Sequence, residues 1–553
     1  MKRLKQTIAI VMASLTALVC CTACGGGKVP DGEQTLQIFV SDHGFGVNWA
    51  HKIVELFKEE QWVKDKYPQL EVLINSNDQN TYVQTQLNAG KSGNTYDLLF
   101  GNQLNSYNGS SEILDLTERV YNEKVPGEDV LYKDKINEVT KDSYAYYNLN
   151  DPDAKAQYFQ TPWQGGMSGI LYNADLLSEY EIDVPRTSNE LIEACRKITA
   201  LNADKGSAKK YAIIQSKEAP YWDMYLYPQL WAQYDTAAGV NKFYRGKDSD
   251  GATSKNIFTE YQGRVKALEV FYDLFKYSEG NIHPYSFTQT FMVSQAAYLD
   301  GAAVFHVNGN YFEEEMKEDV EMRKNRGAKI YKIKMMKHPI ISALVNESEC
   351  SSIAGENGNT ADQELSALIK AIDEAIESGK TKSDIPLEGA GYKVDQAAMD
   401  RIVEARFTVA NATLSTGAVI PSYANGKDVA VDFLRFMATD KALDAYTETT
   451  LGTTLPFSHN VKETNPELYA SLSDMQKEII TYFNSNVSKT YSPILKYAFP
   501  LVNYADLKPF VAGDYWATFS AKSNTKTPQD YYTETIKSWT EDKWNSAKAN
   551  AGI

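Results

Sequence analysis

Three short apolar runs restrict the first part of this chain to one kind of fold. LQIFVS (36–41), LEVLIN (70–75) and YDLLFG (96–101) have the length and the β-branched and aromatic content of strands. Between the first two, Trp49, Ile53, Leu56 and Phe57 recur at i, i+4, i+7 and i+8, the stripe of an amphipathic helix. A second helical stretch, TYVQTQLNAG, ends at Gly90 and leads to the third run. The alternation predicts a βαβαβ unit with parallel strands and right-handed crossovers. In such sheets ligands sit beyond the carboxyl ends of the strands. The segments there, SDHGFGVN, NSNDQN and GNQLN, are rich in Asn, Asp and Gln and read as a polar lining.

The five cysteines say where the chain works. LVCCTACGGG (18–27) holds three of them, after a basic start (Lys2, Arg3, Lys5) and an uncharged apolar run from Thr7 to Val19. That pattern is a signal peptide, since the run is shorter than the roughly 20 residues that span a bilayer. Cys21 and Cys24 form a C-x-x-C, but no second Cys or His pair follows at zinc spacing. Small Thr22 and Ala23 before Cys24 resemble the lipobox of bacterial lipoproteins, with Cys21 where that family usually has Leu. The resemblance implies removal of residues 1–23, diacylation of Cys24, and a flexible tether over 24–33. Two acyl chains, at about 0.8 kcal/mol per buried CH2, give stable anchoring. Cys195 and Cys350 remain. Cys195 shares a helical face with Leu191 and Ile198, so a buried free thiol is expected over a disulfide.

Charge and length narrow the class further. Three of the 56 basic residues and none of the 72 acidic ones fall within 1–23, so the mature chain would carry a net charge of −19. Nucleic acid is excluded as a partner on that balance. A chain of 553 residues exceeds one core and should divide into two or more domains. Its 36 Tyr and 8 Trp offer wide amphipathic contact surfaces. Helices are expected at SNELIEACRKITAL, RVKALEVFYDLF, ADQELSALIKAIDEAI and VAVDFLRFMA, and at TPQDYYTETIKSW with Thr527 as cap and Pro528 at its first position. NLNDPD (148–153) and DSDG (248–251) lack the downstream Glu of a calcium loop and read as solvated turns. No G-x-S-x-G, H-E-x-x-H, Walker or dinucleotide-binding motif occurs.

The segment TPWQGGMSGILYNADLLSEYEIDVPRTSNELIEACRKI (161–198) resembles the extracellular solute-binding proteins of ABC importers, in the sugar-binding group of maltose-binding type. The resemblance is carried by Pro162, Trp163, Gly169, Tyr172, Asn173 and Pro185, with Ser188 as the expected cap of the next helix. DGAAVFHVNGNYFEEEM (300–316) and DVAVDFLRFMATDKALDAYTETTLGTTLPF (428–457) match further segments in order. The family implies an α/β, two-lobed periplasmic-binding-protein-like fold with a hinge and an interlobe ligand cleft. Lobe 1 is expected over 34–160 plus about 345–460, and lobe 2 over about 161–344 plus 461–553. The implied role is a monomeric, lipid-anchored substrate-binding protein on the extracytoplasmic face. It would deliver a carbohydrate to ABC permease subunits, with no cofactor, no metal and no chemistry of its own. Binding of a peptide or another solute, or glycan degradation at the cell surface, are the alternatives.

Sugar binding needs aromatic faces for C–H surfaces and planar polar groups for hydroxyls. YWDMYLYPQLW (221–231) concentrates Tyr221, Trp222, Asp223, Tyr225, Tyr227 and Trp231, and Trp222 with Asp223 is the pair selected there, since a carboxylate beside an indole wants a polar partner. His306, Asn308 and Asn310 alternate along a strand; Asn308 is a candidate ligand amide, whereas His306 reads as a core histidine. Trp163 lies near the expected crossing between lobes, where it could instead pack the hinge. Asp42, Asn77 and Asn102 stand at strand ends, where capping a turn and touching a ligand are equally open roles.

Overall fold

The strand and helix alternation is present in the computed structural model. It describes residues 34–550 apart from 43, 80, 103, 149–152, 165–167, 219–220, 245, 356–357, 411–415, 452–455, 484–488 and 492–512. The expected signal peptide (1–23), Cys24 and the tether (24–33) lie outside the described residues, as does most of NLNDPD. β1 (Thr35–Ser41), β2 (Glu71–Asn77) and β3 (Leu98–Gly101) are parallel, in the order β2, β1, β3. Their period of two sends Ile38, Val40, Leu98 and Phe100 to one face of the sheet, and Phe39 and Leu99 to the other. The first face is covered by α1 (Asn48–Glu59) through Trp49, Ile53 and Phe57. The second is covered by α2 (Tyr82–Gly93) through Val83 and Leu87. Gly90 interrupts α2 at φ +60, a left-handed conformation that glycine adopts without a Cβ clash.

From β4 (Thr161–Pro162) the chain enters a second sheet of β5 (Ser168–Asn173), β6 (Tyr211–Ile213), β7 (Ala303–Gly309) and β8 (Ile333–Met336), ordered β6, β7, β5, β8. Around it stand α3 (Ser188–Leu201), α4 (Tyr227–Tyr244), α5 (Gly263–Phe275), α6 (Phe291–Leu299), α7 (Ala361–Glu377) and α8 (Gln396–Arg406). The cap of α3 is Thr187, not the expected Ser188. Thr187 has extended backbone, accepts from Glu190 N at 3.2 Å and is bonded back by the Glu190 carboxylate, while Ser188 is the first helical residue and its hydroxyl pairs with Ser342. Cys195 and Cys350 are buried free thiols, the latter pushed up by burial to about 11.

β9 (Gly417–Val419) returns to the first sheet, antiparallel to both β3 and β4, and completes the order β2, β1, β3, β9, β4. α9 (Lys427–Met437) and α10 (Asp440–Thr449) pack there too. The chain then goes back to the second lobe as α11 (Asp474–Phe483), α12 (Tyr515–Ser520), α13 (Pro528–Lys537) and α14 (Glu541–Asn550). Thr527 caps α13 in a capping box with Asp530, and Pro528 opens the helix, as its sequence predicts.

The two cores place the lobe boundaries differently from the sequence. The first core draws on residues from Leu36 to Trp163 and from Ala418 to Phe457; the second runs from Ile170 to Val409 and resumes at Met475. The segment from 345 to 409, expected in the first lobe, therefore belongs to the second. Leu365, Leu368, Ile369 and Ile372 of α7 and Ile402 of α8 are fully buried in that core. An amphipathic stripe says that a helix has one buried face, not which sheet receives it. No described helix is long and apolar enough to cross a membrane.

Candidate functional site

Strand register gathers a polar edge on the first lobe. Ser41 pairs with Asn77, Val40 with Phe100, and Gly417 with both Gly101 and Pro162, so all these strand ends lie at one side of the sheet. Asp42 is exposed there and its N–H donates to the Asn77 carbonyl at 2.8 Å. The Asn77 side-chain oxygen closes a turn by accepting from Gln79 N at 3.0 Å. Asn102 accepts from the Thr416 hydroxyl at 3.0 Å, and its carbonyl accepts from Gln84 at 2.6 Å. The three residues predicted from the first lobe are thus brought together, each with part of its polar capacity used in the fold.

Trp163 follows on the same edge, but its ring belongs to the core. It is 1% exposed, with ring centroids 5.1 Å from Trp49 and 5.3 Å from Tyr446. Its Nε1 is buried without a hydrogen-bond partner among the described residues.

On the second lobe, the residues chosen from sequence sit behind the surface that meets the first. Trp222 is fully buried, edge-on to Phe275 at 5.4 Å. Asp223 is also fully buried, and its Oδ1 accepts from Tyr515 N at 2.9 Å and Trp516 N at 3.2 Å; burial raises its carboxyl well above the usual range. Asn308 accepts from Gly309 N at 2.7 Å, and its Nδ2 lies 3.3 Å from His306 Nε2. His306 Nδ1 lies 2.9 Å from the Ile214 carbonyl, and burial pushes the ring down to about 4. A neutral imidazole that donates at Nδ1 and accepts from Asn308 at Nε2 satisfies both contacts.

The side chains at the seam itself are different ones from the same segments. Tyr221 and Tyr225, four apart on a widened helical turn, stack at 5.3 Å with 12° between their planes. The Tyr225 hydroxyl lies 3.1 Å from that of Tyr311, just beyond β7. Tyr311 in turn meets Phe45 of the first lobe edge-on at 5.7 Å. Gly44 lets this approach occur, for a Cβ there would lie 3.2 Å from Glu315 Oε1 and 3.4 Å from Tyr311. Glu315 accepts from the Gln295 amide at 3.1 Å, and burial pushes it up to about 7. Gln295 keeps a buried Oε1 without a partner among the described residues. Sequence reading passed over Phe45, Tyr311, Glu315 and Gln295. The available signal was an aromatic residue directly following a polar strand end, in GFG (44–46) and in NGNY (308–311).

Two open grooves lie elsewhere, one of about 540 Å³ between α7 and α11 and one of about 1060 Å³ beside residues 312–324 and 465–476. Neither includes a strand-end residue of the seam. The first is crossed by closed ion pairs, Lys337 and Arg406 both reaching Asp373. The DSDG loop is a turn closed on itself, Asp248 accepting from Ala252 N at 2.7 Å.

Two α/β lobes linked by repeated passages of the chain, with aromatic and polar side chains meeting at the seam, define a two-lobed binding protein. The model of the bacterial extracellular solute-binding protein family matches residues 50–444, and the chain belongs to that family. Solved structures share the fold, three of them as follows. One comes from work on xylan utilization by Caldanaerobius polysaccharolyticus, at 14% identity over 92% of this chain and 100% of that one, with a TM-score of 0.54. Another is the GacH receptor of Streptomyces glaucescens, at 12% identity over 91% and 97%, with a TM-score of 0.53. The third is Lmo0181 of Listeria monocytogenes, solved with cycloalternan, at 12% identity over 94% and 99%, with a TM-score of 0.53. Comparison with curated protein sequences finds no match.

Proposed function

We propose that this protein captures a carbohydrate, with an oligosaccharide as the preferred length, between its two lobes and passes it to the permease of an ABC importer. The observation that carries the reading is the Tyr221 and Tyr225 stack, joined through Tyr311 to Phe45 of the first lobe. Flat rings present the apolar face that a pyranose needs, and Asp42, Asn77 and Asn102, on the strand-end edge of the first lobe, would supply hydrogen-bonding groups. Proteins of the same fold were solved with acarbose and with cycloalternan, which supports a sugar over a peptide. The ligand favours closure only by binding the closed form better than the open one. No bond is made or broken in the chain. A thermal-shift panel of malto-, xylo- and chitooligosaccharides against tri- and tetrapeptides tests this. A rise in melting temperature with a sugar alone is expected; a rise with peptides alone would replace the carbohydrate, and turnover of a labelled oligosaccharide would replace the binding protein by an enzyme.

Two further outcomes follow from the same reading. Lobe closure should make the ligand-saturated protein more compact, so small-angle scattering should give a smaller radius of gyration; an unchanged radius under proven binding would mean a rigid site. The sequence around Cys24 supports an anchor of two acyl chains. Cys24→Ala should move the protein from the membrane fraction to the soluble one, and full retention in the membrane would remove the lipoprotein reading.

A further inference from the structure

We propose that Asp223 is a positioning residue through which the C-terminal helices α12 to α14 hold the tyrosine wall of the cleft in place. This rests on the reading of Tyr221 and Tyr225 as the ligand wall. The turn that carries them is of an unusual kind: Tyr227 N–H donates to the Trp222 carbonyl, five residues back instead of four. Widened turns of this kind are uncommon, occur mostly as single turns within α-helices, and are frequent at functional sites. Here the support comes from behind. Asp223, between the two tyrosines, has its Oδ1 on the first two N–H groups of α12, and Tyr227 at the end of the turn packs on Tyr515 at 4.7 Å.

The C-terminal helices are themselves fastened far from the turn. Trp539 stacks on Phe258 at 4.7 Å, Trp544 meets the same ring edge-on at 5.7 Å, and the Arg264 guanidinium lies 4.9 Å from the Tyr532 ring. Tyr531 of α13 packs on Tyr515 of α12, which completes a continuous path from Phe258 to Asp223. A carboxyl with no exposure is costly to keep without hydrogen bonds, and the two backbone donors on Oδ1 come from α12, while Oδ2 has no partner among the described residues. Asp223 therefore ties the turn to α12 by two hydrogen bonds, beside the packing of Tyr227 on Tyr515.

Hydrogen exchange on the ligand-free, full-length protein tests the link. In Asp223→Ala, amides of 221–227 and of 515–520 should both exchange about tenfold faster, while those of β1 and β3 stay at parental rates. Asp223→Asn keeps the accepting oxygen and should restore slow exchange in both segments. Faster exchange at 515–520 with 221–227 unchanged would reduce Asp223 to a helix cap and overturn the proposal. If Asp223→Ala does not fold, Trp539→Ala frees the distant end of the brace without touching the turn. Faster exchange at 221–227 in that variant supports the link, and parental exchange there overturns it. Maltotetraose, xylotetraose and chitotetraose serve as binding probes. Any that binds the parent should bind Asp223→Ala at least about fivefold more weakly, with affinity recovered in Asp223→Asn. Parental affinity in Asp223→Ala would overturn the positioning role. If the parent binds none of the three, these sugars are removed as ligands, and the exchange result still decides the brace.

Discussion

Ligand affinity should fall roughly fiftyfold as the pH is raised from 5 to 8, and Glu315→Gln should remove most of that dependence. Glu315 stands where the lobes meet, under the backbone of Gly44, and takes one hydrogen bond from Gln295. The groups facing it are Tyr311 on its own element, Tyr221 and Tyr225 on the widened turn, and the Gln295 amide on α6. All three tyrosines are pushed up by burial and stay neutral, so none of them supplies a cation. Burial alone raises the carboxyl from 4.5 to about 7, with the Gln295 bond working the other way. The sign follows from that. In an open cleft the group regains water and ionises near its ordinary value, so closure binds a proton between about 4.5 and 7. Below the open-form value closure carries no penalty from this group. As pH rises the ionised carboxylate opposes closure more strongly, and above about 7 the full penalty stands. Titration calorimetry at unit pH steps measures it. A parental affinity constant across the range, or the same slope in Glu315→Gln, would show that Glu315 is not desolvated by closure.

Much of the fold was legible because it depends on local periodicity. The three strand runs, the stripe of Trp49, Ile53 and Phe57, and the Thr527 cap with Pro528 each express a rule that acts within a few residues. The polar character of Asp42, Asn77 and Asn102 followed from the parallel sheet, since the ends of such strands share one edge. What sequence could not place was anything decided between distant segments. α7 is amphipathic whichever core receives it, and only the packing of Leu365, Leu368 and Ile372 assigns it to the second lobe. The choice between Thr187 and Ser188 as cap turned on which of two adjacent residues takes extended backbone.

The site divides in the same way. The stretch from Tyr221 to Trp231 announced itself by aromatic density, but density does not say which side of a turn faces outward. Trp222 and Asp223 looked the more specific pair because an indole beside a carboxylate wants a partner. The partner is there, and it is the chain's own α12. The tyrosines on either side of them, at i and i+4, share the opposite side and reach the seam. Glu315 was beyond reach for a simpler reason: it acquires meaning only once one lobe is set against the other.

Removing one aromatic side chain should have opposite consequences at two positions that sequence alone treats alike. Tyr221 is half-buried, stacked on one face by Tyr225 and within 6.4 Å of Tyr311, at the seam where a sugar ring would lie. Tyr221→Ala should therefore weaken binding by about thirtyfold, the order of 2 kcal/mol that truncating an aromatic anchor costs. Its neighbours Tyr225 and Tyr311 keep their mutual contact, so the melting temperature should change little. Tyr221→Phe retains the flat face and should keep most of the affinity. Trp163 is enclosed instead by Trp49, Phe100 and Tyr446, with 1% of its surface exposed. Trp163→Ala leaves a cavity in the first core and should cost about 3–5 kcal/mol of stability. The folded fraction should still bind within a few-fold of the parent, because none of the ring's surface is open to a ligand. Denaturant melts paired with calorimetry separate the two effects. A Tyr221→Ala protein that binds as the parent does would remove the stacked tyrosines from the site, and a Trp163→Ala protein of parental stability with lost affinity would move the site to the crossing strand.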